Sequence, residues 1–221
     1  MAAFSDDFDR VDSDSLGANW TEQVGDADIF SNTLRFSTGA FGDVLAVYSG
    51  TACADIQQYI KITIADTVWP QVVFRYTNAA SEFYLFEIDV SLDTITWYHV
   101  ASAGGTKTQI GSALSITIAA NDILGFTVDG TGASTDIRVW INPTGLPTAA
   151  DNWNGDTTPD GSWLTTDPGA NAVDQGTFLA LACQQAVADT VRVDAFFGGD
   201  LPGGAGAAYN SSVSLALLGV Q

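Results

Sequence analysis

The sequence predicts an all-β protein, a sandwich of two antiparallel sheets, and three observations predict it. First, residues 56–100 hold four apolar runs of strand length, IQQYIKITIAD, WPQVVFRYT, EFYLFEIDV and TITWYHV, broken by short polar or small-residue stretches. That is strand–turn–strand punctuation, with no helical period in the block. Second, the runs alternate. Ile60, Ile62 and Ile64 share a face opposite Tyr59, Lys61 and Thr63, and Tyr84, Phe86, Ile88 and Val90 share one opposite Phe83, Leu85, Glu87 and Asp89. Period two with one apolar face calls for a second sheet to cover it. Third, the charged residues are 23 Asp, 3 Glu, 2 Lys and 5 Arg. The Glu and Lys of helix surfaces are scarce, while Asp and the 22 Gly suit turns.

The elements follow in chain order. Residues 4–10 (FSDDFDR) alternate Phe with Asp, residues 12–17 read as a turn, and Asn19-Trp20 follows. Short strands are predicted at 28–30, 33–37 and 44–48, ahead of the four central runs. The turn AGGT at 103–106 joins His99-Val100 to a strand at 107–110. Strands follow at 114–118 and 122–129, then TDIRVWIN at 135–142, where Ile137, Val139 and Ile141 point one way and Arg138 and Trp140 the other. Residues 143–176 contain no convincing strand, but they carry four Pro, five Asp, Trp153 and Trp163. A connection this long inside a domain is functional or disordered, and the tryptophans argue for something to pack on. Strands resume at 177–184 and 190–197. Residues 198–208 (GGDLPGGAGAA) read as a flexible linker leading to a last apolar strand, VSLALLGV, at 213–220. The domain is therefore expected to span residues 1–201, with 202–221 a linker and C-terminal strand arm.

Composition bounds function. A hydrophobic fraction of 46% with 12 Phe and 6 Trp fills a two-sheet core. A net charge of −19 argues against nucleic acid and anionic membrane as partners, and permits divalent cations. The first residues lack the basic start and apolar run of a secretory signal, and no stretch is long enough to span a bilayer. Cys53 and Cys183 allow one disulfide, but each lies in an apolar run and reads as a buried free thiol. His99 alternates with Trp97 and Ile95 and reads as a packed histidine. No GxSxG, P-loop or zinc spacing is present.

Several pieces together resemble the concanavalin A-like lectin/glucanase superfamily in its laminin-G-like form. They are the opening DDF-x-R-x-D with Leu16-Gly17-x-Asn19-Trp20, then VFRY at 73–76, FYLF at 83–86 and the Tyr98-x-Val100 hairpin with Gly104-Gly105. IRVWIN at 137–142 and VDAFFGGDL at 193–201 complete the set. The likeness runs from Phe4 to Leu201. It implies a jelly-roll sandwich more firmly than an activity, because such modules occur in glycosidases, lectins, adhesins and bacteriophage surface proteins.

The resemblance and the strand period together mark three candidate sites. Glycosidases of the superfamily carry Glu-x-Asp-x-Glu on one strand, so Glu87 matches the nucleophile and Asp89 its helper. Ser91 stands at the acid/base position, however, and a retaining pair needs two carboxyl groups. The expectation is no catalysis. A calcium sits in many members where the last strand passes the N-terminal segment. By resemblance Asp194, with Asp7 or nearby carbonyls, is the ligand set for a structural Ca2+. Finally, Arg75, Glu87, Asp89, Arg138 and Trp140 all lie opposite the apolar positions of their strands. On neighbouring strands they form a polar platform for a glycan, with Trp153 and Trp163 of the long connection as further stacking residues; otherwise that face is ordinary solvated surface or is covered by the long loop. The sequence-level reading is a non-catalytic sandwich of a virion surface, as a capsid decoration, head-fibre or tail component. Its partners are other copies of itself or capsid or tail proteins, met through the C-terminal arm unless that strand folds back on its own sheet edge, and cell-surface glycans at the platform. A free carbohydrate-binding lectin, and after it a glycoside hydrolase or lyase, are the alternatives.

Overall fold

The computed structural model describes residues 3–37, 44–54, 56–65, 69–164, 171–183 and 191–202. Two eight-stranded sheets face one another. Sheet A runs β16 (Gly161–Trp163), β13 (Asp136–Ile141), β12 (Ile123–Asp129), β6 (Gln58–Ile64), β18 (Arg192–Asp200), β4 (Thr33–Ser37) and β3 (Asp26–Phe30), with β1 (Ala3–Asp6) also paired to β18. Sheet B runs β10 (Lys107–Gln109), β9 (Thr94–Val100), β8 (Phe83–Asp89), β7 (Pro70–Tyr76), β17 (Phe178–Cys183), β5 (Val44–Tyr48) and β2 (Trp20–Val24), with β11 (Leu114–Ser115) also on β9. A small ribbon, β14 (Pro147–Ala149) with β15 (Asn152–Trp153), stands apart. The architecture is the predicted all-β, two-sheet antiparallel sandwich.

The alternation read from the sequence is what faces the core. Ile60, Ile62 and Ile64 of β6 meet Phe74, Tyr84, Phe86, Ile88 and Trp97 of sheet B in one large cluster. Aromatic rings fill its centre. Phe86 lies 5.7 Å from Phe126 and 6.0 Å from Trp163, and Trp97 5.2 Å from Tyr84, by ring centroids. Each such side chain contributes about 1.5–3 kcal/mol by leaving water. Cys53 and Cys183 are buried in this cluster and are not joined by a disulfide, and burial pushes the Cys53 thiol well above its ordinary pKa.

The N-terminal motif has a physical meaning. Asp6 on β1 accepts from Arg10 Nη1 at 2.6 Å, the Phe8 amide at 2.9 Å and Trp20 Nε1 at 2.8 Å. Because Trp20 opens β2 of sheet B, one carboxylate clasps the two sheets together at their edge. Two features depart from the sequence reading. Gly198 and Gly199 belong to β18 and not to a linker. A side chain at Gly198 would meet Leu179 at 2.7 Å and Phe4 at 2.9 Å, so this glycine lets β1 and β17 close on the strand. The long connection also contains strands: β16 joins sheet A, and β14–β15 forms a ribbon that packs on it. The predicted arm at 213–220 lies outside the described residues.

Candidate functional site

The five residues expected to form one platform are placed in three different environments. Glu87 and Asp89 do share the outward face of sheet B. Glu87 Oε2 accepts from Gln71 Nε2 at 2.8 Å and lies 3.5 Å from Lys107 Nζ. Asp89 ends its strand, and its Oδ1 accepts from the Ser91 amide at 2.9 Å, Ser91 Oγ at 2.7 Å and the Leu92 amide at 3.0 Å. Desolvation pushes its pKa up, but hydrogen bonds from Ser91, Trp69 and Leu92 outweigh it and the net shift is downward. Asp89 is thus the hinge of the β8–β9 turn. Ser91 lies beyond the strand as a turn donor and does not share the face that the three-residue pattern requires.

Arg138 and Trp140 lie on the outward face of sheet A, on the other side of the molecule from Glu87. Trp140 is 0% exposed, so it is not a stacking surface. The ribbon of the long connection covers it. Trp153 sits 5.4 Å from the Trp140 ring and 6.3 Å from Tyr59. The far edge of its six-membered ring sits over Gly125, where an added Cβ would come within 2.6 Å of it. Lys61 Nζ donates to Gly145 O at 2.9 Å and Thr127 Oγ1 to Ala150 O at 2.8 Å, pinning the same ribbon. Trp163 faces the other way, into the core, with Nε1 donating to Ser112 O at 2.8 Å. None of Trp140, Trp153 and Trp163 is a surface aromatic. Arg138 Nη2 pairs with Asp136 at 3.3 Å.

Arg75 departs furthest from its expected place. The register between β7 and β17 shifts between Phe178 and Ala180, so β7 carries an extra residue there. Arg75 occupies this bulge with φ 58°, a left-handed conformation uncommon for non-glycine residues. The bulge breaks the period of two and turns the side chain from the outward face to the interior, where it is 0% exposed. There Nε donates to Ile56 O at 3.1 Å, Nη1 to Val173 O at 2.7 Å and Nη2 to Gly130 O at 2.5 Å. Burial pulls the guanidinium pKa down, while Tyr84, Asp174 and Asp129 hold it up. Gly176 is required beside it: a Cβ there would stand 1.9 Å from Arg75 O.

By fixing Val173, Arg75 shapes a cleft at this end of the sandwich. The cleft measures about 520 Å3 and is lined by Thr77, Ser81, Glu82, Val173, Asp174 and Gln175 among others. Glu82 Oε2 lies 3.1 Å from His99 Nε2, with the Glu82 side chain 55% exposed. Asp174 Oδ1 accepts from the Gly132 amide at 2.7 Å and lies 3.9 Å from Arg75 Nη1, with its side chain 49% exposed. Glu82 is oriented by His99, and Asp174 by Gly132 and Arg75, and each carboxylate is about half exposed. With the neighbouring hydroxyls and the Gln175 amide they make a shallow set of acceptors and donors. Sequence reasoning missed this cleft. Residues 77–82 (TNAASE) read only as a turn, and 172–175 lay inside the long connection. The one available signal was the cluster of hydroxyl and carboxylate groups in a turn between two strongly apolar runs.

For calcium, the strands meet as expected, since β1 pairs with β18 beside Asp7 and Asp194. Both residues are exposed, and Asp7 Oδ1 accepts from the Asp9 amide at 3.2 Å. Among the described residues no group of three or more His, Cys, Asp or Glu is placed to hold a metal. Calcium takes six to eight oxygens, so a site at Asp7 and Asp194 would have to be completed by backbone carbonyls.

No family model matches the chain, and no curated protein matches it. Solved structures do. The carbohydrate-binding module CBM66 from Bacillus subtilis superposes with a TM-score of 0.51 at 15% identity, over 83% of this chain and 93% of that one. The apo form of the transglycosylase Crh5 gives 0.52 at 10% identity, over 90% and 85%. At these identities the likeness establishes the fold. One relative is a binding module and the other an enzyme, so fold alone does not choose between them.

Proposed function

We propose that the chain is a non-catalytic glycan-binding module that takes a saccharide in the end cleft between Glu82 and Asp174. The observation carrying this reading is the cleft itself: two half-exposed carboxylates, each oriented by a second group, among hydroxyl and amide side chains. Carboxylates and amides of this kind bond sugar hydroxyls, and a site with fixed polar groups discriminates against ligands that leave them unpaired. The similarity in fold to a carbohydrate-binding module is in keeping with it. Binding rather than hydrolysis is favoured because Asp89 is held by turn donors and no carboxyl group stands at Ser91.

The test is a glycan array followed by calorimetry on the full chain. At least one saccharide binds, and Glu82→Gln or Asp174→Asn weakens it about tenfold or more, equivalent to about 1.4 kcal/mol, while each variant melts like the parent. An empty array, or variants that bind like the parent, overturns the reading. Reducing-end release from β-glucan, agarose or carrageenan that disappears in Glu87→Gln overturns the non-catalytic part. The surface on which the module acts is, by sequence resemblance, that of a virion or a cell. Its presence in purified particles beside capsid or tail proteins tests that finer statement.

A further inference from the structure

A second cavity lies on the outward face of sheet A, where the ribbon crosses it. It measures about 270 Å3 and is lined by Gln57, Asp129, Arg138, Ala150, Asp151 and Leu201 among others, and no described residue lines both it and the end cleft. Described contacts set its walls. Arg138 pairs across the sheet with Thr127, and Thr127 Oγ1 donates to Ala150 O at 2.8 Å, so the ribbon passes over the Arg138 side of the sheet. Asp129 is held through Oδ1 by Gln57 Nε2 at 2.6 Å and the Gly130 amide at 2.8 Å. Ala150 and Leu201 also pack with Tyr59, Trp140 and Trp153, so the Trp140 cluster backs the cavity wall.

Two donors at this place have no acceptor. Arg138 Nη2 is taken up by Asp136, but Nη1 is buried without a hydrogen-bond partner. Trp140 Nε1, two residues along the same face of β13, is buried without one as well. Five buried side-chain polar atoms of the described residues lack a partner, and these are the two that share a strand. Buried polar groups are as a rule hydrogen-bonded, so paired exceptions beside a cavity call for a molecule that accepts.

We propose that this cavity takes one neutral sugar residue, as a second saccharide site separate from the end cleft. A carboxylate or sulfate would also accept from Nη1. However, Asp129 and Asp151 line the cavity against a single arginine that Asp136 already neutralises, so a further anion is repelled. A hydroxyl answers both needs. Its oxygen accepts from Arg138 Nη1 or Trp140 Nε1, and its hydrogen goes to Asp129 or Asp151, because an ionised carboxylate can only accept. Leu201 and Ala150 meet the CH groups of the ring. Small-molecule pockets run from about 300 to 1,000 Å3, so the size suits a single ring and not a longer saccharide.

The experiment is an NMR titration of the full 15N-labelled chain with glucose, galactose, mannose, fructose and xylose, read at the Trp140 indole and Arg138 side-chain N–H signals. At least one sugar is expected to shift both signals saturably, and glucuronate to bind about tenfold more weakly. The shifts are expected to persist when Glu82→Gln and Asp174→Asn are combined, and to be lost in Arg138→Met. Persistence in that double variant separates this site from the end cleft, whichever way the glycan array falls. No shift with any of these sugars, shifts that vanish with the end-cleft carboxylates, an Arg138→Met protein that binds like the parent, or glucuronate binding as tightly as the sugars overturns the proposal. If Arg138→Met does not fold, the titrations of the parent and of the double variant decide.

Discussion

The outward faces of the two sheets begin from the same alternation and end differently. On sheet A the second set of positions is mixed, with Tyr59, Lys61, Thr127, Arg138 and Trp140, and the described chain supplies a cover: the β14–β15 ribbon with Trp153 pressed on Gly125. On sheet B the second set is mostly apolar, broken by Gln71, Glu87 and Lys107. A strand's period of two therefore says which residues face the core and leaves open what the other set faces. Outward is not the same as exposed, and Trp140 is the case in point. The cleft with half-exposed polar groups lies off both faces, at the end of the sandwich, where loops and not strands present them.

The comparison can be broken most forcefully at Trp153. Trp153→Ala removes the cover's anchor on sheet A and is expected to cost about 3–5 kcal/mol in chemical denaturation, as large aromatic truncations in packed sites do. A loss below about 1 kcal/mol would mean that the ribbon is not part of the fold. Gly125→Ala probes the same contact from beneath. Its methyl meets the indole at 2.6 Å, so overpacking of about 1–3 kcal/mol is expected, and in a Trp153→Ala background the penalty should vanish.

The smallest effect concerns the edge where the two sheets are clasped. Desolvation raises the Asp6 pKa, but the bonds from Arg10, Phe8 and Trp20 outweigh it and hold it below its ordinary 3.8. A depressed carboxylate contributes stability that is present above the unfolded value and is lost as pH falls through the folded one. Asp6→Asn should therefore lower stability by about 1–2 kcal/mol at neutral pH, and the gap to the parent should narrow as the pH falls below the ordinary 3.8 and through the lowered folded pKa. Melting curves across pH 2–7 check this, and a gap independent of pH would show that the charge is not what matters.

Much of this was legible in the sequence. The central strands appear where the alternation puts them, because half-buried strands must alternate. The packing of Trp153 and Trp163 was foreseen in kind, since tryptophans in a long connection need a surface. β1, β2 and β14–β16 were not recognised as strands; they are short, edge or polar, and depend on tertiary contacts such as those of Asp6 with Trp20 for their definition. Arg75 was misplaced for a different reason. One inserted residue reverses the faces of a strand, and a bulge with a left-handed arginine has no local signature, because its cause is three carbonyls distant in the chain. The cleft was missed because one wall, 77–82, reads as a turn, and the other, 172–175, lies far along the chain inside the long connection.

Arg75 also constrains the order in which the molecule assembles. Its acceptors lie 19, 55 and 98 residues away in sequence. Until all three loops have closed, a buried guanidinium would lack partners, so the side chain stays hydrated through most of the folding reaction. Its contacts are therefore expected to form after the rate-limiting barrier, as a latch on the finished state. Arg75→Met should therefore leave the folding limb of a chevron almost unchanged and steepen loss of the native state by raising the unfolding rate. A slowed folding limb would place Arg75 in the nucleus instead. Such a late latch governs how long the folded form persists once made, more than how readily it is reached.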